Sequence, residues 1–436
     1  MLRQNTFSMP SLRQKINSLA IAPLPNLLAG LVMALVLIPE AIGFAGVAGV
    51  PPELGLYGAI FLTITIAFTG SRIAMITSAS GSTAVLMTGL AAQGNNFADN
   101  KGIIFLLTAS MLAGLLQIIW SLLNISALMK YIPKPVVSGF VNALALLILQ
   151  AELPQLGFEQ LLGLERHQVT YLPTVKELPT VWALTAIGLL IIYSFPYITK
   201  KIPSQLISIS VVTILAWTMR FDVPRVSDLG SLPQGIHLPE IPFLINGANN
   251  IAGLDLIWTT APIAIAISLV GLLETFLTVD YIDTLTETTA DKRSEGIGQG
   301  IANIITSLFG GMAGCALVGE SVMNVKNGAK SRLSTLSTGL FIVTILIFAR
   351  SILGLIPLAA VAAVMISIAV ATADSDSLRR IGRLPKIDTL LMIATFLATM
   401  LTHPHNLAVG VIVGVSTSQL YGYIRRKANL RSDKSD

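Results

Sequence analysis

Three glutamates lie inside apolar runs of this chain, at Glu40, Glu274 and Glu320. A carboxylate is costly in the hydrocarbon layer of a membrane, and such residues usually line a substrate or ion pathway. Glu274 is followed one helical turn later by Thr278, within a stripe of small and polar residues. Glu274, Thr278 and Glu320 are therefore candidates for binding a coupling ion.

A second pattern consists of two short segments that begin with small polar residues. The first covers about residues 77–92 and opens with a cluster of hydroxyl residues and glycine, and the second covers about 316–325 after a glycine-rich loop at 310–314. A helix rises about 1.5 Å per residue and the hydrocarbon core is about 30 Å thick, so neither helical stretch can cross it. Both segments are therefore predicted to be half-helices that begin inside the membrane.

The start of a half-helix exposes unpaired backbone N–H groups and the positive end of the helix dipole. Two such starts can bind an anion without any basic side chain. The segments have no Lys or Arg deep inside them. We therefore predict that a substrate anion binds at these helix starts, at Ser78, Ser80, Gly81, Ser82, Leu317, Val318 and Gly319. An acid beside an anion repels it unless the acid is protonated or holds a cation, which predicts coupling to H⁺ or Na⁺.

The composition indicates the class of protein that carries these residues. Of 436 residues, 53% are hydrophobic and only 12% are charged, whereas soluble domains contain about 25% charged residues. This composition excludes a soluble enzyme, a nucleic-acid-binding protein and a disordered protein. The apolar runs number fourteen and lie at about 26–47, 54–69, 77–92, 103–124, 135–151, 181–196, 204–220, 256–278, 296–310, 316–325, 333–350, 357–372, 387–402 and 406–424.

The distribution of positive charge tests this count of segments. If both termini are cytoplasmic, 22 of the 28 Lys and Arg residues fall on the cytoplasmic side, as expected for short loops of membrane proteins. The half-helices are the third and tenth segments, which is typical of two inverted repeats of seven segments each. The sequence thus predicts an all-α integral protein of the plasma (inner) membrane that has fourteen transmembrane segments and contacts the lipid bilayer.

This repeat pattern implies a division of the chain into seven parts. We predict a cytoplasmic N-terminal segment, a core domain in two pieces, a gate domain in two pieces, an extracellular connection between the repeats and a cytoplasmic tail. They cover, in chain order, residues 1–25 (N-terminal segment), 26–125 (core), 126–220 (gate), 221–255 (connection), 256–350 (core), 351–424 (gate) and 425–436 (tail).

Several weaker signals predict no additional chemistry. Cys315 is the only cysteine, which excludes an intramolecular disulfide and a cysteine-rich metal site. His403 and His405 lie in a short turn and are not expected to bind a metal. The charged residues from Asp280 to Glu295 are expected to form a solvated cytoplasmic loop. No nucleophile–base pair is recognisable, so neither enzymatic activity nor a cofactor is expected.

The chain resembles the sulfate permease family in several spaced motifs. Residues 38–45 (Ile-Pro-Glu-Ala-Ile-Gly-Phe-Ala) and the Gly-Leu-Tyr at 55–57 are similar to the signature of that family in its first two segments. Further similar positions are Gly70, Ser71, Arg72, Asn324, Gly328 and Arg332. The resemblance implies an elevator-type carrier with short β-strands before half-helices 3 and 10. It also implies that the anion binds between these half-helices, with Glu40 and Phe44 of segment 1 at the site.

The same resemblance bears on the coupling ion. In sodium-dependent bicarbonate carriers of the family, an acid and a hydroxyl four residues later bind Na⁺, and Glu274 and Thr278 match these positions. Three departures add negative charge or remove a hydroxyl. Glu40 replaces a glutamine, Glu320 stands where many members have arginine, and Val318 stands where sodium-dependent members have threonine. These departures favour H⁺ over Na⁺.

The sequence leaves three functions open. The first is symport of sulfate or bicarbonate with H⁺ or Na⁺, and the second is proton symport of a nucleobase or organic anion, with Glu274 and Glu320 as ligands. The third is an uncoupled anion exchanger or channel. Family members usually carry a cytosolic STAS domain, which is expected to be absent here because the sequence ends shortly after segment 14. The oligomeric state stays open, with a homodimer as one alternative.

Overall fold

The computed structural model describes most of the chain, including the helices on which the predicted site residues lie. The described residues are 22–95, 101–158, 173–199, 202–230, 232–233, 235, 238–242, 253–381, 383, 385–402 and 407–432. His403 and His405 lie outside the described residues.

The described part of the chain is mainly helical. Its main helices, which we label α1 to α14, are α1 Pro23–Ala48, α2 Pro52–Thr69, α3 Gly81–Asn95, α4 Lys101–Leu122, α5 Lys134–Glu152, α6 Leu178–Ser194, α7 Ser204–Thr218, α8 Gly253–Thr286, α9 Lys292–Leu308, α10 Val318–Lys326, α11 Arg332–Gly354, α12 Leu358–Thr372, α13 Lys386–Leu401 and α14 Leu407–Ser432. Short helical turns occur between them, among them Ser375–Arg379.

Two short strands interrupt the helices, and they pair with each other. Strand β1, Thr77–Ala79, lies just before α3, and strand β2, Gly314–Ala316, lies just before α10. The strands are antiparallel, with Ser78 opposite Cys315 in the middle of the register. All residues of both strands are buried. We call this pair the central ribbon.

Length and hydropathy fit a membrane protein. By these criteria alone, seven of the described helices are long and apolar enough to cross a bilayer, and four shorter helices are also apolar. Helix α9 departs from this pattern because it begins with charged residues, and α10 is too short to span the hydrocarbon core.

Helix packing divides the fold into two groups. In the first group, α9 packs along α4 and α2, α11 packs along α1 and α2, and α8 packs along α4. In the second group, α13 packs along α5 and α14, and α12 packs along α5, α6 and α7. The groups meet where α1 contacts α12 and α5, α3 contacts α5, and α8 contacts α14.

Glycines allow α4 and α9 to approach closely. A Cβ atom on Gly300 would lie 2.5 Å from the carbonyl oxygen of Gly114, and a Cβ on Gly114 would lie 2.6 Å from that of Gly300. These distances are too short for a side chain. The two helices therefore contact each other through their backbones, as small residues permit in membrane proteins.

The expected solvated loop at Asp280–Glu295 is wrong in two respects. Helix α8 extends to Thr286, so that Asp280 and Asp283 lie on a helix. Their charges are compensated, because Asp283 pairs with Arg72 at 2.9 Å and Asp280 pairs with Lys292 at 2.7 Å. Hydropathy marks the end of an apolar run, whereas a polar helix can continue beyond it.

The prediction of a solvated loop is also wrong at Glu295, because the side chain of this residue is fully buried. Its carboxylate accepts hydrogen bonds from the backbone N–H groups of Ser71 and Arg72 at 2.5 and 2.6 Å. Arg332 holds the same stretch from the other side, where its guanidinium donates to the carbonyl oxygens of Ala67 and Gly70 at 3.1 and 2.7 Å. The connection from α2 to β1 is thus fixed by charged groups of the second half of the chain.

We expect Gly300→Ala to lower the thermal stability of the detergent-purified protein. The added methyl group must displace the α4 backbone, and overpacking of this kind costs about 1–3 kcal/mol. Gly319→Ala is the matched control, since a Cβ there meets no atom within 4 Å. The measurement is the melting temperature of both variants, and equal melting temperatures would contradict the backbone contact.

Candidate functional site

Two helix starts border the central ribbon. Helix α3 begins two residues after β1, and α10 begins two residues after β2. Because the strands are antiparallel, the two helices leave the ribbon at opposite ends, each with its N-terminus beside the ribbon. The unpaired N–H groups and the positive dipole ends of both helices therefore lie around one small region.

The helices around this region carry almost no positive side chains. Helices α1, α3 and α8 contain no Lys or Arg along their lengths, and α10 has only Lys326 at its far end. Positive potential in the region therefore comes from backbone N–H groups and helix dipoles. This arrangement can attract an anion, as helix N-termini do in other proteins.

Glu274 joins three elements at the site. Its Oε2 atom accepts a hydrogen bond of 2.7 Å from the Ser82 hydroxyl in α3 and one of 2.7 Å from the Cys315 thiol in β2. The thiol also lies 3.1 Å from the Ser80 hydroxyl. The carboxyl group on α8 is thereby fixed against the start of α3 and the central ribbon.

Two threonines on α8 hold that helix against strand β2. Thr278 donates to the carbonyl oxygens of Glu274 and Ala316 at 2.8 and 3.3 Å. The Thr275 hydroxyl accepts from the N–H of Ala316 at 3.3 Å. The oxygen of the Thr278 hydroxyl keeps lone pairs that can accept a further bond.

Phe44 and Ile148 cover the start of α3. A Cβ on Gly81 would lie 3.1 Å from Cε1 of Phe44 and 2.7 Å from Cδ1 of Ile148. Phe44 of α1 is 4% exposed, and Ser78, Ser80 and Ser82 are all buried. In this conformation the first helix start is closed.

The start of α10 is open by comparison. Val318 is 40% exposed, and a Cβ on Gly319 would meet no atom within 4 Å. Leu317, just before the helix, is half-buried, and its N–H donates to the carbonyl of Ile76 at 2.9 Å. Access to the site in this conformation is therefore from the side of α10.

Glu40 and Glu320 lie next to each other. Glu40, which follows Pro39 in the middle of α1, is 2% exposed, and its Oε2 atom has no hydrogen-bond partner among the described residues. The Glu320 carboxyl, in the first turn of α10, is within hydrogen-bonding reach of the Glu40 carboxyl. Two carboxyl groups in contact cannot both be ionised without strong repulsion.

Sequence reasoning missed a set of buried amides that hold the approach to β2. Asn303 donates to Gln117 and Gly314 at 2.8 and 3.1 Å, and it also accepts from the Gly314 N–H at 3.0 Å. Gln299 donates to the Gly314 carbonyl at 2.9 Å. Gln117 and Asn303 stand inside apolar segments 4 and 9, and this was the signal that could have identified them. In the sequence, Cys315 stands out only as a lone cysteine.

A comparison with protein families assigns the chain to a known group. The sequence profile described as the sulfate permease family matches residues 24–395. The chain therefore belongs to the sulfate permease family, whose members are integral membrane transporters, and the resemblance inferred from its motifs is confirmed.

Two relatives indicate what kind of protein this is. YbaR of Bacillus subtilis, provisionally named a sulfate transporter, is 40% identical over 399 residues, which cover 91% of this chain and 76% of YbaR. The bicarbonate transporter BicA of Picosynechococcus is 28% identical over 94% of this chain and 71% of BicA. Both are named as transporters, which agrees with the expectation that the chain is not an enzyme.

A solved structure shares the fold. The transmembrane domain of a cyanobacterial BicA bicarbonate transporter superimposes with a TM-score of 0.76 at 24% identity. The match covers 90% of this chain and 97% of that domain. The helical architecture described above is thus a known membrane-transporter fold.

We expect Gly81→Ala to weaken substrate binding, because the new methyl group must push Phe44 and Ile148 away from the start of α3. The double variant Gly81→Ala/Ile148→Ala should recover much of the affinity, since it removes the closer obstacle. The measurement is the KM for uptake in proteoliposomes. If the double variant binds no better than Gly81→Ala alone, packing at this helix start does not control binding.

Proposed function

We propose that the protein is a secondary active transporter that imports a small inorganic anion, sulfate or bicarbonate, by symport with a cation. In this proposal, fourteen segments in two inverted repeats of seven lie in the plasma (inner) membrane with both termini cytoplasmic. The relatives named as sulfate and bicarbonate transporters support these two anions as substrates.

One observation carries the proposal: two helix starts and a buried antiparallel ribbon surround a region whose bordering helices α1, α3, α8 and α10 have no basic side chain except Lys326 at the far end of α10. Such a region offers N–H donors of fixed position to an oxyanion. The candidate ligands are the N–H groups and hydroxyls near Ser78, Ser80, Gly81 and Ser82, together with the N–H groups of Val318 and Gly319. Leu317 borders the site, but its N–H already donates to the carbonyl of Ile76. Phe44 contributes an apolar wall beside Gly81.

The carboxyl groups at the site support coupling to a cation. Glu274 touches the start of α3, where a bound anion would meet its negative charge. Binding of the anion is therefore favoured when Glu274 holds a proton or a cation. Glu40 and Glu320 lie close enough for their charges to repel each other, which disfavours ionisation of both. These groups favour H⁺ as the coupling ion.

Sodium is the alternative coupling ion. Glu274 and the lone pairs of Thr278 supply oxygen ligands, which suit a hard cation. Val318 offers no side-chain oxygen at the start of α10, so such a site lacks one hydroxyl compared with sodium-dependent members of the family.

The division into two helix groups supports an elevator-type mechanism. In this proposal the core, residues 26–125 and 256–350, carries the site and moves against the gate, residues 126–220 and 351–424. The central ribbon belongs to the first group, and Ile148 of the second group covers one side of the site. A relative shift of the groups would uncover Gly81. A homodimer is compatible with this mechanism but is not required by it.

The decisive experiment is uptake of labelled sulfate and bicarbonate into proteoliposomes under an inward pH gradient or an inward sodium gradient. Accumulation that requires one gradient would establish symport and identify the anion and the co-ion. Anion flux that ignores both gradients would favour an exchanger or channel. No uptake of either anion, with thermal stabilisation by a nucleobase instead, would overturn the proposal in favour of nucleobase transport.

We expect Glu274→Gln to abolish accumulation of the anion against its gradient. The amide cannot take up and release a proton, although it still accepts hydrogen bonds from Ser82 and Cys315. Anion binding, measured by thermal stabilisation, should persist. Normal accumulation by this variant would exclude Glu274 as the coupling group. Glu287→Gln, on an exposed residue after α8, is the control.

We expect Thr278→Val to separate the two coupling ions. A sodium site would lose an oxygen ligand, so the dependence of uptake on sodium should disappear. Proton coupling through Glu274 should survive with uptake reduced only a few-fold, because the lost bond to Ala316 is a structural one. Thr278→Ser keeps the hydroxyl and serves as the control in both cases.

A further inference from the structure

Glu152, the last residue of α5, is a buried acid that the proposed transport mechanism does not use. Its side chain is 0% exposed. Neither carboxyl oxygen has a hydrogen-bond partner among the described residues. Residue 152 belongs to the end of α5 that the positive charges of the sequence predict to be extracellular.

The surroundings of Glu152 place it on the contact between the two helix groups. Ile148, one helical turn earlier and on the same face of α5, covers Gly81 at the start of α3. Gln155, three residues later, has its side-chain nitrogen 3.1 Å from the Cβ position of Gly46 in α1. The side-chain amide oxygen of Gln155 also lacks a partner among the described residues. Glu152 therefore lies one turn from the anion site, on the seam of α5 with α1 and α3.

The described charged groups on the elements packed against α5 are far along their helices, exposed to solvent or engaged elsewhere. Helices α3 and α12 contain no titratable residue, and α6 contains only Tyr193. Glu177, just before α6, accepts a hydrogen bond from the Thr174 N–H at 2.8 Å. The remaining groups in the described part of the chain are Glu40 on α1, Lys134 at the opposite end of α5, the exposed Lys176 before α6, Lys386 and Asp388 at the start of α13, and the cluster after Tyr421 at the end of α14. Asp374 and the turn Ser375–Arg379, which carries further charged residues, also contact α5, but they do so through Ser138 and Asn142 in its first half.

Chemistry limits what such a group can be. An ionised carboxylate that is buried without a donor or a counter-ion is strongly unfavourable. A protonated carboxyl group is neutral and avoids this cost, and it can donate its own hydrogen to an acceptor.

We propose that Glu152 is a second proton-binding site, separate from Glu274, which holds a proton while the seam of α5 with α1 and α3 is closed. When the seam opens to water, the carboxyl group becomes hydrated and releases the proton to the solvent. A low pH on the predicted extracellular side thus favours the closed seam, and a high pH favours the open one. The inference depends on the closed seam and not on which anion is carried.

The direct test is infrared difference spectroscopy of the reconstituted full-length protein between acidic and alkaline buffer. In the region of the carbonyl stretch of protonated carboxylic acids, one component of the difference band should disappear in Glu152→Gln. In Glu152→Asp the same component should remain, at a shifted frequency. Glu177→Gln, at the same end of the molecule, should leave the band unchanged. An unchanged carbonyl band in Glu152→Gln would overturn the proposal. A band of the original protein that changes with sodium concentration and not with pH would also overturn it.

Stability provides a second arm that does not require transport. Glutamine mimics the neutral acid, so Glu152→Gln should fold and should be less sensitive to pH in its melting temperature than the original protein. A Glu152→Gln protein that fails to fold would contradict the proposal, because a neutral isostere should fit the closed seam. If the protein takes up neither sulfate nor bicarbonate but the infrared band still depends on Glu152, the proposed substrates are wrong. The proton site at Glu152 would then still hold.

Discussion

The pairing of β1 with β2 is the constraint on which the rest of the structure depends. Three residues from each half of the chain satisfy each other's backbone groups in the interior of the fold. Without this pairing, the N–H and C=O groups of both segments would be buried unpaired, which is strongly unfavourable in a membrane. The pairing also sets where α3 and α10 begin, because each helix starts two residues after its strand. The two helix starts are therefore positioned by one backbone interaction.

Side chains that bind to backbone keep this irregular region in place. Asn303 and Gln299 hold Gly314 from one side, while Glu295 and Arg332 hold the stretch that leads into β1. A three-residue strand pair has little stability of its own, so these bonds supply what a larger sheet would provide. The region between the two helix starts can then remain free of basic side chains, because its positive potential is built into the backbone.

The helices and the two polar segment starts could be predicted from sequence, since apolar runs and small polar clusters are local properties. The buried position of Glu40 could be predicted as well, because an acid inside an apolar run is conspicuous; its role, like those of Glu274 and Glu320, stays a prediction. The contacts of Cys315 and Glu295 could not be predicted. Both residues bind partners that lie more than 200 positions away in the sequence or on another helix. The hydrophobic periodicity of a segment contains no information about such distant partners. The prediction of a solvated loop after residue 279 was wrong for a related reason. Hydropathy cannot distinguish a charged loop from a helix whose charges are compensated by partners elsewhere in the fold.

The position of the two strands also has a consequence for the order in which the chain is made. Ribosomes synthesise β1 long before β2, so the segment at 77–79 enters the membrane without its partner strand. Glu295 and Arg332, which fix the preceding residues, are also absent at that stage. The first half must therefore wait, with polar backbone exposed, in a hydrated environment such as the insertion machinery. Release into lipid is favourable only after residue 316 and its neighbours have arrived, which makes assembly of the two halves a single late event.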